Sequence, residues 1–456
     1  MKTRFEPERL RRVAILGLGV SGRAAAELLL KRGVAVMATD ARPAAELELG
    51  GLATAPGLEL RLGREERELP HGIDALVVSP GVALGHPLVA AARAAGVPVA
   101  AEVELAYAFL DGRVVAVTGS NGKSTTTAMT GALLAGAGFA VEVCGNIGVP
   151  LSRFVDGAPG RIFVVELSSF QLETVHRFHA RAAALLNLSP DHLDRHGTLP
   201  AYLAAKLRVF ENQTAGDTAV LNADEPELAT RPLAARRRLF SLAAEVEDGC
   251  FVADGRVIER APGAADVELF AASDVPLRGP HNLENALAAA LLARALGAPV
   301  AALAPALRAF RGLPHRLEPV AERADVVYFD DSKGTNVAAT ARSLEGFGDG
   351  SVHLILGGRN KGADLGYLRP IVARKAARVY LIGESAELFR DVLAGVVEIS
   401  LAGTLERAVA EAAERARPGQ SVVLSPACAS FDQFRDYADR GRQFRRLARA
   451  ATGEGE

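Results

Sequence analysis

Short apolar runs recur along this chain, each ending in glycine or small polar residues and leading into a stretch with helical spacing. Runs that are apolar on both faces read as buried parallel strands, whose carboxyl ends collect the polar chemistry. The run at 13–16 enters Gly17-x-Gly19-x-x-Gly22, a helix follows through Leu30, and a strand at 34–39 ends on Asp40. A further strand at 75–78 runs into Ser79-Pro80-Gly81, and one more helix–strand pair carries the unit to Asp111-Gly112. A second series has strands at 114–117, 140–143, 162–165 and 182–188. It then passes through glycine-punctuated segments at 240–275 that predict small antiparallel strands. An Ala/Leu helix opening at Pro280 follows, before Gly312-Leu313-Pro314. The last third repeats the alternation, with strands at 326–329, 353–356, 379–382 and 421–424, and its Arg/Glu-rich C-terminal helix is expected to be a solvated face.

The pattern predicts an α/β fold of three domains. A Rossmann-like domain spans 1–112. A central P-loop ATPase-like domain spans 113–312, its sheet mainly parallel with a small antiparallel portion. A second Rossmann-like domain spans 313–456.

Strand, glycine turn and helix come together most tellingly at Thr118-Gly119-Ser120-Asn121-Gly122-Lys123-Ser124-Thr125. Backbone N–H groups at a helix N-terminus face an anion there, Lys123 adds a compact positive charge, and Ser124 stands where a P-loop hydroxyl holds Mg²⁺. The common spacing would need glycine at Val117, so the loop is a shortened variant. Glu166 ends the next buried run, where a Mg²⁺ ligand is expected beside a P-loop. Asp191-His192-Leu193-Asp194-Arg195-His196 packs two acids and two histidines into six residues, and Lys206 follows among apolar neighbours. The first glycine motif with its acidic Asp40 fits a dinucleotide site, or any diphosphate on a helix N-terminus.

Composition adds one pointer. The 52 basic residues include only seven lysines, at 2, 31, 123, 206, 333, 361 and 375. A chain so biased to arginine keeps lysine mainly where a guanidinium cannot substitute. The net charge of −2 gives no reason to expect nucleic acid or an anionic membrane as partner. Three separated cysteines (Cys144, Cys250, Cys428) form neither a metal knuckle nor a disulfide framework. The N-terminus, with Arg4, Glu6, Glu8 and Arg9, has no apolar signal core. The Ala/Leu-rich stretch at 286–310 is broken by Arg294, Pro299, Pro305 and Arg308. A cytoplasmic location is expected.

Taken in order, Gly-Ser-Asn-Gly-Lys-Ser-Thr, Glu-Leu-Ser-Ser-Phe-Gln-Leu, Asp-His-Leu-Asp-Arg-His, Ala-Ala-Lys, His-Asn-x-x-Asn-Ala, His-Arg and Asp-Ser-Lys-Gly-Thr-Asn make the whole chain resemble the Mur ligases. These are ATP-dependent amino-acid-adding enzymes of peptidoglycan synthesis. Ser-Pro-Ala-Cys-Ala-Ser-Phe-Asp-Gln-Phe most resembles the D-glutamate-adding members, and the Asp-Asn-Pro-Arg motif of diaminopimelate- or lysine-adding relatives is absent. The resemblance implies that D-glutamate is joined to UDP-N-acetylmuramoyl-L-alanine through an acyl phosphate, with ATP and two Mg²⁺, by an expected monomer. It recasts the first glycine loop as a seat for the UDP end of the substrate, with Val20, Ser21, Asp40 and Gly81 nearby. Ser124 and Glu166 would hold one Mg²⁺. His192 and Lys206 would serve the other, Lys206 as a carbamate made with CO₂. Lys123, Glu166, His192 and Lys206 form the implied catalytic set. ATP would also meet Gly119 to Thr125, Asn285, Arg316 and Asp331, and Asn146 and His192 would meet the muramoyl part. Lys333, Thr335, Lys361, Ser430, Phe431 and Tyr437 would frame D-glutamate, although the family pattern has Leu at Phe431 and Phe at Tyr437. The alternatives are the same chemistry on another amino acid or a folate-type acceptor, an NAD-dependent oxidoreductase built on the first glycine motif, and a non-enzymatic nucleotide-binding module.

Overall fold

The computed structural model describes residues 5–453, so Lys2 and Arg4 lie outside it. Three sheets follow one another along the chain. The first comprises β1 (Arg12–Leu16), β2 (Ala35–Asp40), β3 (Leu58–Leu62), β4 (Ala75–Val78) and β5 (Val99–Ala101), all parallel, in the order β3-β2-β1-β4-β5. The order reverses at β1, and the crevice where it does so opens beyond the ends of β1 and β4, the place such sheets bind ligands. Strand β3, Leu-Glu-Leu-Arg-Leu, is absent from the sequence reading. It is a half-buried edge strand, and its alternating pattern lacks the continuous apolar signal of its neighbours.

The second sheet contains β6 (Gly112–Thr118), β7 (Val141–Gly145), β8 (Arg161–Glu166), β9 (Ala182–Leu185), β10 (Thr218–Asn222), β11 (Arg236–Ser241), β12 (Gly249–Ala253), β13 (Arg256–Arg260) and β14 (Val267–Ala271). Its order is β14-β13-β12-β11-β10-β9-β6-β8-β7, parallel except for the hairpin additions β12-β13-β14. The antiparallel portion expected at 240–275 is this edge.

The third sheet holds β15 (Glu318–Arg323), β16 (Val326–Asp330), β17 (Val352–Gly357), β18 (Ala376–Ile382), β19 (Ile399–Gly403) and β20 (Ser421–Ala427). Its order is β15-β16-β20-β17-β18-β19, with β15 antiparallel to an otherwise parallel set. The sheet is therefore mixed.

The first two sheets share one apolar core that runs from Val13, Ile15 and Ala26 through Val103 and Leu105 to Val114, Phe163 and Phe178. They form one compact unit, through Asp274 and again over Glu284–Ala309. Two nearby buried carboxylates fasten its halves. Glu104 accepts the backbone N–H groups of His176, Arg177 and Phe178, and Glu102 accepts the N–H and hydroxyl of Ser152. The second unit comprises Val275–Leu283 and the chain from Phe310, with separate apolar clusters on the two faces of its sheet. Its C-terminal helix, Tyr437–Thr452, is not simply a solvated face. Arg440 is fully buried and donates to the hydroxyl and carbonyl of Ser332 and to the carbonyl of Cys428. Among the described residues no helix is long and apolar enough to cross a membrane, and all three cysteines are free and buried.

Candidate active site

Strand β6 is buried between β8 and β9 and delivers the chain to Gly119, Ser120 and Asn121, with Gly122 as N-cap of the helix Lys123–Gly136. Gly122 has φ +81, and a Cβ there would lie 2.3 Å from Asn285 Oδ1, so only glycine allows this approach. Asn285 is buried, and its Oδ1 also accepts the Thr126 hydroxyl. This brings Asn285 to the P-loop.

The loop is held from behind by residues the sequence reading missed. Asn121 N–H donates to Asn187 Oδ1 at 2.8 Å, Asn187 Nδ2 returns to the Asn121 carbonyl, and the Ser120 hydroxyl donates to the Ser189 carbonyl. Asn187 was detectable as a lone amide inside the apolar run 182–188. Ser124 and Thr125, on the first turn of the helix, are both buried.

Two lysines converge on this loop. Lys123 Nζ donates to the carbonyls of Gly119 (2.9 Å) and Ser120 (2.8 Å), and Lys206 Nζ reaches the same Gly119 carbonyl at 2.7 Å. Lys206 is 1 % exposed, with its ammonium 4.3 Å from the centre of the Tyr202 ring. Burial, reinforced by Lys123 and opposed by Asp191, pushes its pKa well below the ordinary lysine value.

Register places Glu166 at the end of β8, opposite Val117 on one side and Gly145 on the other. It is 2 % exposed. Its Oε1 accepts Asn146 Nδ2 at 2.7 Å, whereas Oε2 is buried with no hydrogen-bond partner. A buried carboxylate oxygen left bare is costly, and a hard cation with oxygen ligands removes that cost. The donor set here therefore fits Mg²⁺: a carboxylate oxygen, the Ser124 hydroxyl and the phosphates the loop is shaped to hold.

His192 stands at left-handed φ +53 just before the short helix Leu193–His196, its ring edge-on to Phe170 at 4.8 Å. Burial lowers its pKa, against the pull of Asp191, and favours the neutral, metal-binding imidazole. Lys206 and His192 both approach the Tyr202 ring.

The N-terminal crevice is a cavity of about 490 Å³ whose lining includes Val20, Ser21, Asp40, Arg42, Pro80 and Gly81. All four residues expected at the UDP end are thus in one cavity. Asp40 is fully engaged: Leu18 N–H donates to Oδ2 at 2.8 Å, and Arg42 grips both oxygens with its guanidinium. Burial raises its pKa, but the Arg42 and backbone hydrogen bonds outweigh that and bring it down to about 2. The dinucleotide reading asks this carboxylate to take ribose hydroxyls. Here the Arg42 guanidinium already occupies both oxygens of that carboxylate.

In the second unit, Lys333 Nζ donates to the Tyr437 hydroxyl at 2.9 Å, and Ser332 donates to the Tyr437 carbonyl. Ser430 is buried, Thr335 half-buried, and Lys361 and Phe431 are exposed. The structure joins Lys333 to Tyr437 directly. Asp331 is buried, accepts the hydroxyls of Ser343 and Ser425, and has its pKa pushed up by burial to about 6. Arg316 precedes Leu317, whose N–H donates to Asp331 Oδ1.

The family models for the Mur ligase MurD-like N-terminal domain, the Mur ligase middle domain and the Mur ligase glutamate ligase domain match residues 11–101, 117–293 and 315–428. The chain belongs to the Mur ligase family. It is 43% identical over 455 residues to the UDP-N-acetylmuramoylalanine–D-glutamate ligase of Acidobacterium capsulatum, covering 97% of each chain. To the enzyme of that name from Anaeromyxobacter dehalogenans it is 46% identical over 450 residues, covering 96% of this chain and 97% of the other. Among solved structures, UDP-N-acetylmuramate-alanine ligase MurC from Thermotoga maritima matches with TM-score 0.60 at 19% identity, covering 96% of this chain and 99% of that one. MurF ligase from the same organism, in complex with ADP, matches with TM-score 0.59 at 17% identity, covering 99% and 98%. These two share the fold.

Proposed function

We propose that this chain is an ATP-dependent ligase that joins D-glutamate to UDP-N-acetylmuramoyl-L-alanine during peptidoglycan precursor synthesis, working in the cytoplasm as a monomer. Near-full-length similarity to ligases of that name supports the substrate assignment. The observation that carries the chemistry is Glu166. Its buried, unpartnered Oε2 sits at the strand tip beside a loop built for phosphates.

In this reading the free carboxylate of the substrate's L-alanine residue attacks the γ-phosphorus of ATP, ADP leaves, and the amine of D-glutamate attacks the acyl phosphate and expels phosphate. The physical difficulty is that one anion must reach another. Lys123 and the N–H groups at the start of the helix Lys123–Gly136 draw negative charge away from the γ-phosphoryl group. Holding the reactants in line contributes about 7–11 kcal/mol by itself. Ser124 and Glu166 would hold one Mg²⁺; His192, with Lys206 as a carbamate, would hold a second. Bound there, these ions would neutralise charge on the transferring phosphoryl group. The low pKa of buried Lys206 favours the free amine that CO₂ requires, an option closed to arginine. Asn146 fixes Glu166 from the side and would meet the muramoyl part.

Val20, Ser21, Asp40 and Gly81, in 1–112, would seat the UDP end. Asn285, Arg316 and Asp331 would contact ATP. The residues around Lys333 and Tyr437, in 313–456, would receive D-glutamate. Phosphate release should require the nucleotide-sugar peptide and D-glutamate together. A panel of L-glutamate, diaminopimelate, lysine and D-glutamate tests this, and equal rates with L-glutamate or diaminopimelate would refute the specificity.

A further inference from the structure

Arg195 connects two places that the proposed reaction must keep in register. Its Nη1 donates to the Pro80 carbonyl at 3.1 Å, and Pro80 lines the N-terminal cavity. Its Nη2 pairs with Glu173 Oε2 at 2.6 Å, and its guanidinium carbon lies 4.0 Å over the centre of the Phe170 ring. The side chain is 13% exposed. Phe170 in turn meets His192 edge-on at 4.8 Å and stacks with His196 at 5.7 Å, while Glu173 Oε1 lies 3.5 Å from His196 Nδ1. Tyr202 packs against His196 at 5.1 Å and carries Lys206 on its face, and Lys206 ends on the P-loop carbonyl of Gly119. A continuous column thus runs from the rim of the cavity to the phosphate loop.

We propose that Arg195 is a positioning residue that fixes the distance between the seat of the nucleotide end and the groups around His192 and Lys206 where the far end reacts. The inference rests on the ligase reading above. A planar guanidinium can lie flat on Phe170 while donating sideways in two directions; an ammonium in its place cannot do all three at once. Losing this tie leaves the glycine loop, Asp40 and Arg42 intact, so the nucleotide still finds its seat. The reacting end then arrives out of line, and a misplacement of about 1 Å can cost on the order of 100-fold in rate.

The test compares wild type, Arg195→Ala, Arg195→Lys and Glu173→Gln in three measurements: phosphate release with saturating substrates, UDP affinity by calorimetry, and Tm. Wild-type phosphate release with UDP-N-acetylmuramoyl-L-alanine and D-glutamate checks the ligase reading independently. The expected result is a kcat roughly 10- to 100-fold lower in Arg195→Ala, with UDP affinity and Tm held. Arg195→Lys should recover part of the rate, and Glu173→Gln should lose less than Arg195→Ala. Wild-type kcat in Arg195→Ala would overturn the proposal. So would kcat, UDP affinity and Tm all falling together in Arg195→Lys and Glu173→Gln as well, which is the signature of a merely structural contact.

Discussion

The first unit uses one device twice, a buried strand that turns through glycines into a helix with a carboxylate at the tip of an adjacent strand. At the N-terminal loop the carboxylate is Asp40, and both of its oxygens are taken by Leu18 N–H and Arg42. At the central loop it is Glu166, with one oxygen on Asn146 and the other buried and bare. The N-terminal loop has no lysine, whereas the central one draws in Lys123 and Lys206. A saturated carboxylate organises its own loop; an unsaturated buried one is incomplete without a further positive charge. The same local fold therefore yields a seat in one place and a reaction site in the other, and the difference lies in which polar atoms are left over.

The largest effects should come from changing the unsaturated side. Glu166→Gln keeps the shape and the Asn146 contact but removes the negative charge. Turnover should fall by at least about 100-fold, consistent with the several kcal/mol expected of a metal ligand, while UDP still binds. Near-normal phosphate release in the Glu166→Gln variant would end the idea that the bare oxygen matters. Lys206→Ala should be nearly inactive for a different reason, the missing carbamate, and a short carboxylic acid should restore part of the rate. No rescue would count against a carboxylate at that position.

How far the sequence led depends on the same distinction. Continuous apolar runs such as 114–117 and 162–165 announced buried parallel strands, and their ends announced Gly119 to Ser124 and Glu166. The half-exposed edge β3 carried no such signal and was missed. Arg440 was missed because a charged helix ordinarily faces water. Here the Ser332 and Cys428 acceptors lie under the helix and draw it inward, a tertiary fact that local pattern does not hold. The bracing of the P-loop by Asn187 and Ser189 likewise depends on β9 lying beside β6. Spacing cannot tell that Asp40 is saturated and Glu166 is not, because Arg42 and Asn146 were neighbours whose direction was unknown.

On the saturated side the expected losses are smaller. Asp40→Asn leaves Leu18 N–H with a weaker acceptor and frees Arg42. The KM for the nucleotide-sugar should rise about 10-fold, with stability down by about 1.5–3 kcal/mol, the range for losing a charge-assisted hydrogen bond. An unchanged KM with the same loss of stability would make Asp40 structural alone and would narrow the comparison to Glu166.

The smallest effect, and the one that isolates the saturation itself, is the pH dependence of Arg42→Ala. Asp40 has a folded pKa of about 2 against an ordinary 3.8, so the unfolded chain takes up its proton first as pH falls. Its ionised form therefore adds stability that is fully present above about pH 4 and is lost as pH drops through 2. Without Arg42 the burial of Asp40 remains while the largest opposing hydrogen bond goes, so the folded pKa rises and that contribution shrinks. The Tm of Arg42→Ala should lie below that of wild type at pH 7 by the equivalent of about 1–2 kcal/mol, and the gap should narrow as pH falls toward 2, where Asp40 is mostly protonated in the variant and about half protonated in the wild type. A gap that stays constant from pH 7 to pH 2 would mean that Arg42 stabilises the loop by packing, and that the charge on Asp40 has no part in holding Leu18 in place.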